Sequence, residues 1–276
     1  MTTKQKIPDR TVVLINQHLQ TLKLRKMQAI LEHELSLAAQ NKISTPIVLE
    51  RLLADEAGSL IERRIERRIK ESKLPERKLL ADFDFDFQTG IDQNQIMDLS
   101  TLSFVDRRQG LIMAGNSGTG KSHIAKALLL LGCQRLYRCR YTMASQMLKD
   151  LMAGLSDDTL DKKLNTYIKP DLLLIDEVGF DRLEQESARN ASLFFKVIDG
   201  RYNKTSTILT TNIDFKSLGD YLGDPVITTA IVDRMVHHSI IINIEGPSWR
   251  IHESKNLNSL SSVKAGVDNK EVKKNP

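Results

Sequence analysis

The stretch Leu111-Ile-Met-Ala-Gly115-Asn116-Ser117-Gly118-Thr119-Gly120-Lys121-Ser122 decides the fold. An apolar strand, Leu111 to Ala114, leads into a glycine loop, and a helix from Ser122 to Arg135 leads out. The octet Gly115 to Ser122 fits G-x-x-x-x-G-K-[ST] in full. Its glycines let successive backbone N–H groups turn inward around a phosphate, and the helix N-terminus adds the positive end of its dipole. Lys121 is placed to neutralise the β- and γ-phosphates of a nucleotide, and Ser122 to ligate Mg²⁺.

Downstream, Leu172-Leu-Leu-Ile-Asp176-Glu177 is a buried strand ending in two carboxylates. Asp176 at the strand end is expected to hold a water of the Mg²⁺ shell. Glu177 beside it is expected to polarise the attacking water as general base. Such a pair also caps strands in proteins without catalysis, but its place about sixty residues after a phosphate loop favours the catalytic reading. The next buried strand, Thr207 to Thr211, ends in Asn212, placed to sense the γ-phosphate and orient the lytic water. The competing reading is a turn asparagine.

A GTPase would carry Asn-Lys-x-Asp after a strand, whereas Asn203-Lys204-Thr205-Ser206 lacks the Asp and precedes its strand. A nucleoside kinase needs neither the adjacent Asp-Glu nor the Thr-Asn strand end. Both fall behind an ATPase of the AAA+ type, whose catalytic arginine comes from a neighbouring subunit. Arg234, in Thr229-Ala-Ile-Val-Asp-Arg-Met235, is the first candidate for it and Arg201 the second, each weighed against a surface ion pair. Arg250, in Ser248-Trp249-Arg250, is placed to reach the phosphates within the same subunit, although no long helical lid follows it.

Around this core the chain alternates strands and helices from Gly110 to Ile244, which implies a parallel sheet covered on both faces. Residues 11 to 73 read instead as polar amphipathic helix, broken at Asn41 to Pro46, with Pro75 marking the exit. Asp82-Phe-Asp-Phe-Asp-Phe87 reads as the hinge between the two parts. The expected domains are therefore 1–80, helical, for oligomerisation and for DNA or partner binding; 81–252, the ATPase; and 253–276, a polar disordered tail.

The 276 residues carry a net charge of +5, which attracts anionic partners. Arg63, Arg64, Arg67 and Arg68, with Lys70 and Lys73, put cations on neighbouring helix faces and are candidate contacts to the DNA backbone. Glu62, Glu66 and Glu71 interleave with them, so a salt-bridged solvated helix competes. Cys133 and Cys139 lack the spacing of a metal or disulfide motif and read as buried thiols; the histidines show no ligand spacing either. The N-terminus lacks a signal-peptide core and no apolar run is long enough to span a bilayer, so a cytoplasmic location without a membrane partner is expected.

Taken together, the phosphate loop with His123-Ile-Ala, the Asp171-to-Phe180 strand, Arg201-Tyr-Asn-Lys-Thr-Ser-Thr-Ile-Leu-Thr-Thr-Asn212 and Gly223-Asp-Pro-Val with Ala230-to-His238 resemble the IstB/DnaC family of AAA+ ATPases. The likeness covers roughly residues 15 to 252, including Leu22-Lys-Leu-Arg-Lys-Met27 and the Glu-Arg-Arg helix. Its N-terminal part resembles the IstB branch, ATPase helpers of insertion-sequence transposases, more than the DnaC-type loaders. The resemblance implies an ATP- and Mg²⁺-dependent ATPase that assembles with its own copies on duplex DNA, remodels it and delivers it to a transposase. A replicative helicase is the alternative partner. Asn116-Ser117 replace the family's usual proline pair, without removing a catalytic group.

Overall fold

The computed structural model describes residues 9–180, 187–214 and 217–255. They fall into two compact units whose boundary lies at Arg67/Arg68.

The first unit is helical. α1 (Asp9–Thr21), α2 (Arg25–Asn41) and most of α3 (Thr45–Ser72) enclose a small core of Leu19, Met27, Leu31, Val48 and Leu52. The sequence pattern runs α1 and α2 together; the structure parts them at Leu22–Leu24. That turn is made by Lys23 in the left-handed region at φ 60°, not by a glycine or proline, which is why the pattern does not show it. The expected break after Asn41 is present. Glu56 of α3 accepts the N–H groups of Lys26 (2.7 Å) and Met27 (3.2 Å), and so caps α2 from a different helix.

The second unit is a five-stranded parallel sheet with helices around it. The strands are β1 (Gly110–Gly115), β2 (Cys139–Met143), β3 (Leu172–Val178), β4 (Ser206–Thr211) and β5 (Ser239–Ile244), in the order β2-β3-β4-β1-β5. All four pairings are parallel. Ile112, Leu173, Ile175 and Leu209 pack into a core with α7 (Ala144–Ser156), α8 (Leu160–Ile168), α9 (Ser187–Arg201), α10 (Leu218–Leu222) and α11 (Pro225–His237). The alternate residues Leu111, Met113, Leu172, Leu174 and Ile208 are equally buried, as a sheet covered on both faces requires. α6 (Lys121–Gln134) packs across β1 to β4, and α4 (Gln93–Ser100) lies against α6. α4, α10 and the four-residue α5 (Ser103–Asp106) are too short to stand out by periodicity.

This strand order sets the site. β4 lies between β1 and β3, while the chain leaving β1 crosses to the edge strand β2. The crevice at the carboxyl ends of β1, β4 and β3 is therefore the topological switch point, where open α/β sheets bind ligands.

The Asp82-to-Phe87 segment does not act as a free hinge. Phe83 packs edge-on against Phe85 (4.8 Å between centroids) and His123 (5.4 Å), and a Cβ on Gly120 would meet the Phe83 ring at 2.4 Å. The segment lies on the phosphate loop because its phenylalanines gain an apolar seat there. Cys133 and Cys139 are free and buried. No helix among the described residues is long and apolar enough to cross a membrane.

Candidate functional site

At the switch point an open cavity of about 570 Å³ is lined by Ser117–Ser122, Glu177, Thr210, Thr211, Asn212, Trp249 and Arg250 among others. The chemistry follows from how each strand ends.

The loop after β1 turns through Gly118 (φ 81°) and Gly120 (φ 94°), conformations an L side chain adopts only with strain. Gly120 is the N-cap of α6 and offers no side chain to the first-turn N–H groups. Those donors, with the dipole behind them, are left for an anion. Lys121 Nζ is drawn back onto the loop, donating to the carbonyls of Gly115 (2.7 Å) and Asn116 (2.6 Å). Burial pushes its pKa down against the pull of Asp176, and nearby Arg250 lowers it further. Two cations facing one crevice match a polyanion such as a triphosphate.

Asp176, 1% exposed at the end of β3, is held on all sides. Its Oδ1 accepts from Ser122 Oγ (2.7 Å) and Thr210 Oγ1 (2.5 Å); its Oδ2 accepts from Tyr141 OH (3.3 Å). Because Ser122 spends its single proton on Asp176, its lone pairs stay available to a cation. Hard oxygen donors in this number suit Mg²⁺ that arrives with phosphates. No group of three or more His, Cys, Asp or Glu among the described residues could hold a metal alone.

Glu177 follows in the left-handed region at φ 59°, where β3 and β4 slip register between Ile175 and Val178. For a non-glycine residue this conformation costs about 1–3 kcal/mol and persists only when its surroundings enforce it. Thr210 does so: the hydroxyl that donates to Asp176 also accepts the Glu177 N–H (3.0 Å). The bulge turns the half-buried Glu177 side chain to the cavity wall. Asn212 stands exposed on the same wall, just past β4.

Phe83, Phe87 and Gln88 complete the wall from the chain before β1. Phe87 meets Trp249 edge-on at 5.0 Å, and Gln88 Nε2 donates to the carbonyls of Thr119 (3.0 Å) and Pro247 (3.2 Å). Arg250 sits in a helical turn, residues 249–255, that begins past β5; residues 256–276, most of the expected tail, lie outside the described part of the chain.

The two arginines weighed for a neighbouring subunit separate sharply. Arg201 is 2% exposed, and its guanidinium donates to the carbonyls of Tyr167 (2.8 Å), Ile168 (3.0 Å), Pro170 (2.9 Å) and Ser206 and to Thr207 Oγ1 (2.8 Å). Burial pushes its pKa down to about 9, which still leaves it charged at neutral pH. Arg201 is therefore not the trans arginine: it pins loops within its own subunit. Arg234 lies away from its own cavity on α11, donating to Asp199 (2.8 Å) and stacked 4.7 Å from the Phe195 ring centroid, partly open to solvent.

In the basic run, Arg63 pairs with Glu56 at 3.2 Å and so serves as counter-ion to the α2 cap. Arg68 pairs with Glu71 at 3.4 Å; Arg64 and Arg67 are exposed. Of the interleaved glutamates, Glu71 thus engages Arg68.

Residues 17–257 match the family model described as IstB-like ATP binding protein. The chain belongs to the IstB-like ATP-binding family. It is 38% identical over 218 residues to an ATP-binding protein of insertion sequence IS5376 from Geobacillus stearothermophilus, covering 79% of this chain and 86% of that one. With an ATP-binding protein of insertion sequence IS21 from Pseudomonas aeruginosa it is 33% identical over 256 residues, covering 93% and 96%. Among solved structures, DnaI superposes with a TM-score of 0.51 at 20% identity over 61% of this chain and 92% of that one. A DNA replication initiation factor gives 0.50 at 21% over 72% and 57%. These two show the fold, the parallel-sheet P-loop core of AAA+ proteins preceded here by a helical region.

For this IstB-like chain, Ser117–Ser122, Glu177, Asn212 and Arg250 line one crevice, with Asp176 joined to it through Ser122 and the Gly115 and Asn116 carbonyls through Lys121. Thr210, Tyr141, Lys126, Phe83, Phe87 and Trp249 are the members that sequence reasoning misses.

Proposed function

We propose that the chain is a Mg²⁺-dependent ATPase that assembles with its own copies on duplex DNA, remodels it and assists the transposase of an insertion sequence. The observation that carries the hydrolytic reading is the Ser122–Asp176–Thr210–Glu177 chain of hydrogen bonds, which gives two adjacent acidic residues different settings: it engages the carboxylate of Asp176 but only the backbone N–H of Glu177. Asp176, buried among hydroxyl donors, faces Ser122. Glu177, turned by the bulge to the cavity wall, is free to accept a proton from water as it attacks the γ-phosphate.

ATP is held by the α6 N-terminus and Lys121, while Asn212 orients the attacking water. Ser122 and Asp176 would hold Mg²⁺, which when bound would offset the negative charge that develops on the phosphates. Arg234 lies outside its own crevice and reaches that charge only from an adjacent copy. The DNA reading rests on the net charge of +5, on the exposed Arg64 and Arg67, and on relatives that belong to insertion sequences. Those relatives favour a transposase over a replicative helicase as partner.

The test is subunit mixing. Lys121→Ala and Arg234→Ala are each expected to lack ATPase activity, and their mixture to regain part of it, since one supplies the arginine and the other an intact phosphate loop. No recovery at any ratio would count against a shared site.

A further inference from the structure

Beyond the groups that meet phosphate, metal and water, one cation stands against the acidic corner of the site. Lys126 lies on α6 five residues after Lys121, with its side chain only 14% exposed. Its Nζ donates to Glu76 Oε1 at 3.0 Å, lies 4.0 Å from Asp176 Oδ2 and 5.7 Å from the centroid of the Tyr141 ring. Glu76 is half exposed and also pairs with Lys78 at 3.1 Å. Both Lys126 and Glu76 line the nucleotide cavity.

The two edges of Asp176 are thus divided. Oδ1 receives Ser122 and Thr210 on the side where a cation would join the phosphates, and Oδ2 receives Tyr141 and faces Lys126. A carboxylate this buried has its charge partly balanced before any ligand arrives, because a bare buried anion would be costly. A divalent cation drawn to the same carboxylate meets repulsion from that ammonium, while the phosphates of a nucleotide are attracted by it.

We infer that Lys126 is a positioning residue that shares Asp176 with the incoming divalent cation and sets how much Mg²⁺ the site needs. Glu76 is the counterweight that draws Lys126 back toward solvent. Lys126 supports metal-free nucleotide binding and raises the Mg²⁺ requirement; Glu76 lowers it. The inference rests on the nucleotide-binding reading above.

Energy transfer from Trp249, the single tryptophan of the chain and a wall of the cavity, to ribose-labelled ATP with a non-hydrolysable β–γ bridge reports binding without turnover. The full chain is titrated with labelled ATP in EDTA, then with Mg²⁺ at fixed nucleotide. For Lys126→Met, the Mg²⁺ midpoint should fall and the metal-free affinity should weaken, each by about three- to tenfold, the range of a partly screened ion pair. For Glu76→Gln, the Mg²⁺ midpoint should move the opposite way by about two- to threefold, since an exposed pair is worth less. In the double variant, Glu76→Gln should add nothing, because it acts through Lys126. Lys126→Arg should stay near the unaltered protein.

An unchanged Mg²⁺ midpoint in Lys126→Met, or a shift of the same sign in Glu76→Gln, overturns the inference while labelled ATP still binds. If Lys126→Met fails to fold, the sign of the Glu76→Gln shift decides alone. Failure of the unaltered protein to bind labelled ATP with or without Mg²⁺ overturns the nucleotide reading, and this inference with it.

Discussion

Thr210 offers the sharpest perturbation, since one hydroxyl, 1% exposed, serves both carboxylate residues of the site. Thr210→Val keeps the shape and removes the oxygen. Glu177 N–H then loses its acceptor in a half-buried place, which costs about 1–3 kcal/mol. Asp176 Oδ1 loses one of its two donors, and a hydrogen bond to a buried charge contributes about 1.5–3 kcal/mol. Ser122, Tyr141 and Lys126 still surround Asp176, and the new methyl group gains a little from burial. The net expectation is a loss of about 2–4 kcal/mol, a melting point lower by roughly 5 to 15 °C for a unit of this size. Thr210→Ser keeps the hydroxyl and should lose about 1 kcal/mol, the value of one buried methyl group. Thermal unfolding followed by circular dichroism reads both. Catalysis should suffer beyond the stability loss, because the φ 59° conformation of Glu177 is no longer enforced. If Thr210→Val melts within 2 °C of the unaltered protein, the two hydrogen bonds do not stabilise the site as argued.

Four further outcomes are expected. Arg201→Ala leaves four backbone carbonyls without their donor, so it should destabilise by about 3–5 kcal/mol. Arg234→Ala should change the melting point by no more than the roughly 0–1 kcal/mol of a partly exposed ion pair while removing ATPase activity; equal melting behaviour of the two variants would contradict their separation. Glu177→Gln should bind ATP and not hydrolyse it, and hydrolysis at the normal rate would show the general base to be misassigned. Burial acts to raise the pKa of Asp171, but the Arg138 side-chain and backbone donors outweigh it and hold the carboxyl below its ordinary 3.8. The stability this contributes is present above the unfolded value and lost as the pH falls toward the folded one. Arg138→Ala should therefore move acid unfolding to higher pH, and an unmoved acid transition would refute the linkage.

Much of the site is legible in the sequence because its parts are contiguous: Gly115–Ser122 is one loop, and Asp176-Glu177 one strand end. The parallel sheet is legible for a similar reason, as β1 and β3 open on short apolar runs between helical stretches. What escapes is whatever depends on convergence. Tyr141, Lys126 and Thr210 meet Asp176 from three elements, and no spacing along the chain announces that. The fold of Phe83 onto Gly120 is hidden in the same way, so Asp82–Phe87 reads as a hinge from composition although its rings pack on the loop. Arg201 and Arg234 look alike as sequence; only the carbonyls left at the ends of α8 and β4 show that one is committed to the interior. The turn at Lys23 escapes because a lysine in the left-handed region carries no local signal.

The central claim is that the nucleotide state of this crevice governs assembly on DNA. Fluorescence anisotropy of a labelled duplex, titrated with the full chain at moderate salt under ATP–Mg²⁺, ADP–Mg²⁺ and no nucleotide, tests it most directly. Cooperative binding is predicted with ATP, persisting in Glu177→Gln and lost in Lys121→Ala. Binding that is equal in all three nucleotide states, or absent from all of them, would contradict the account.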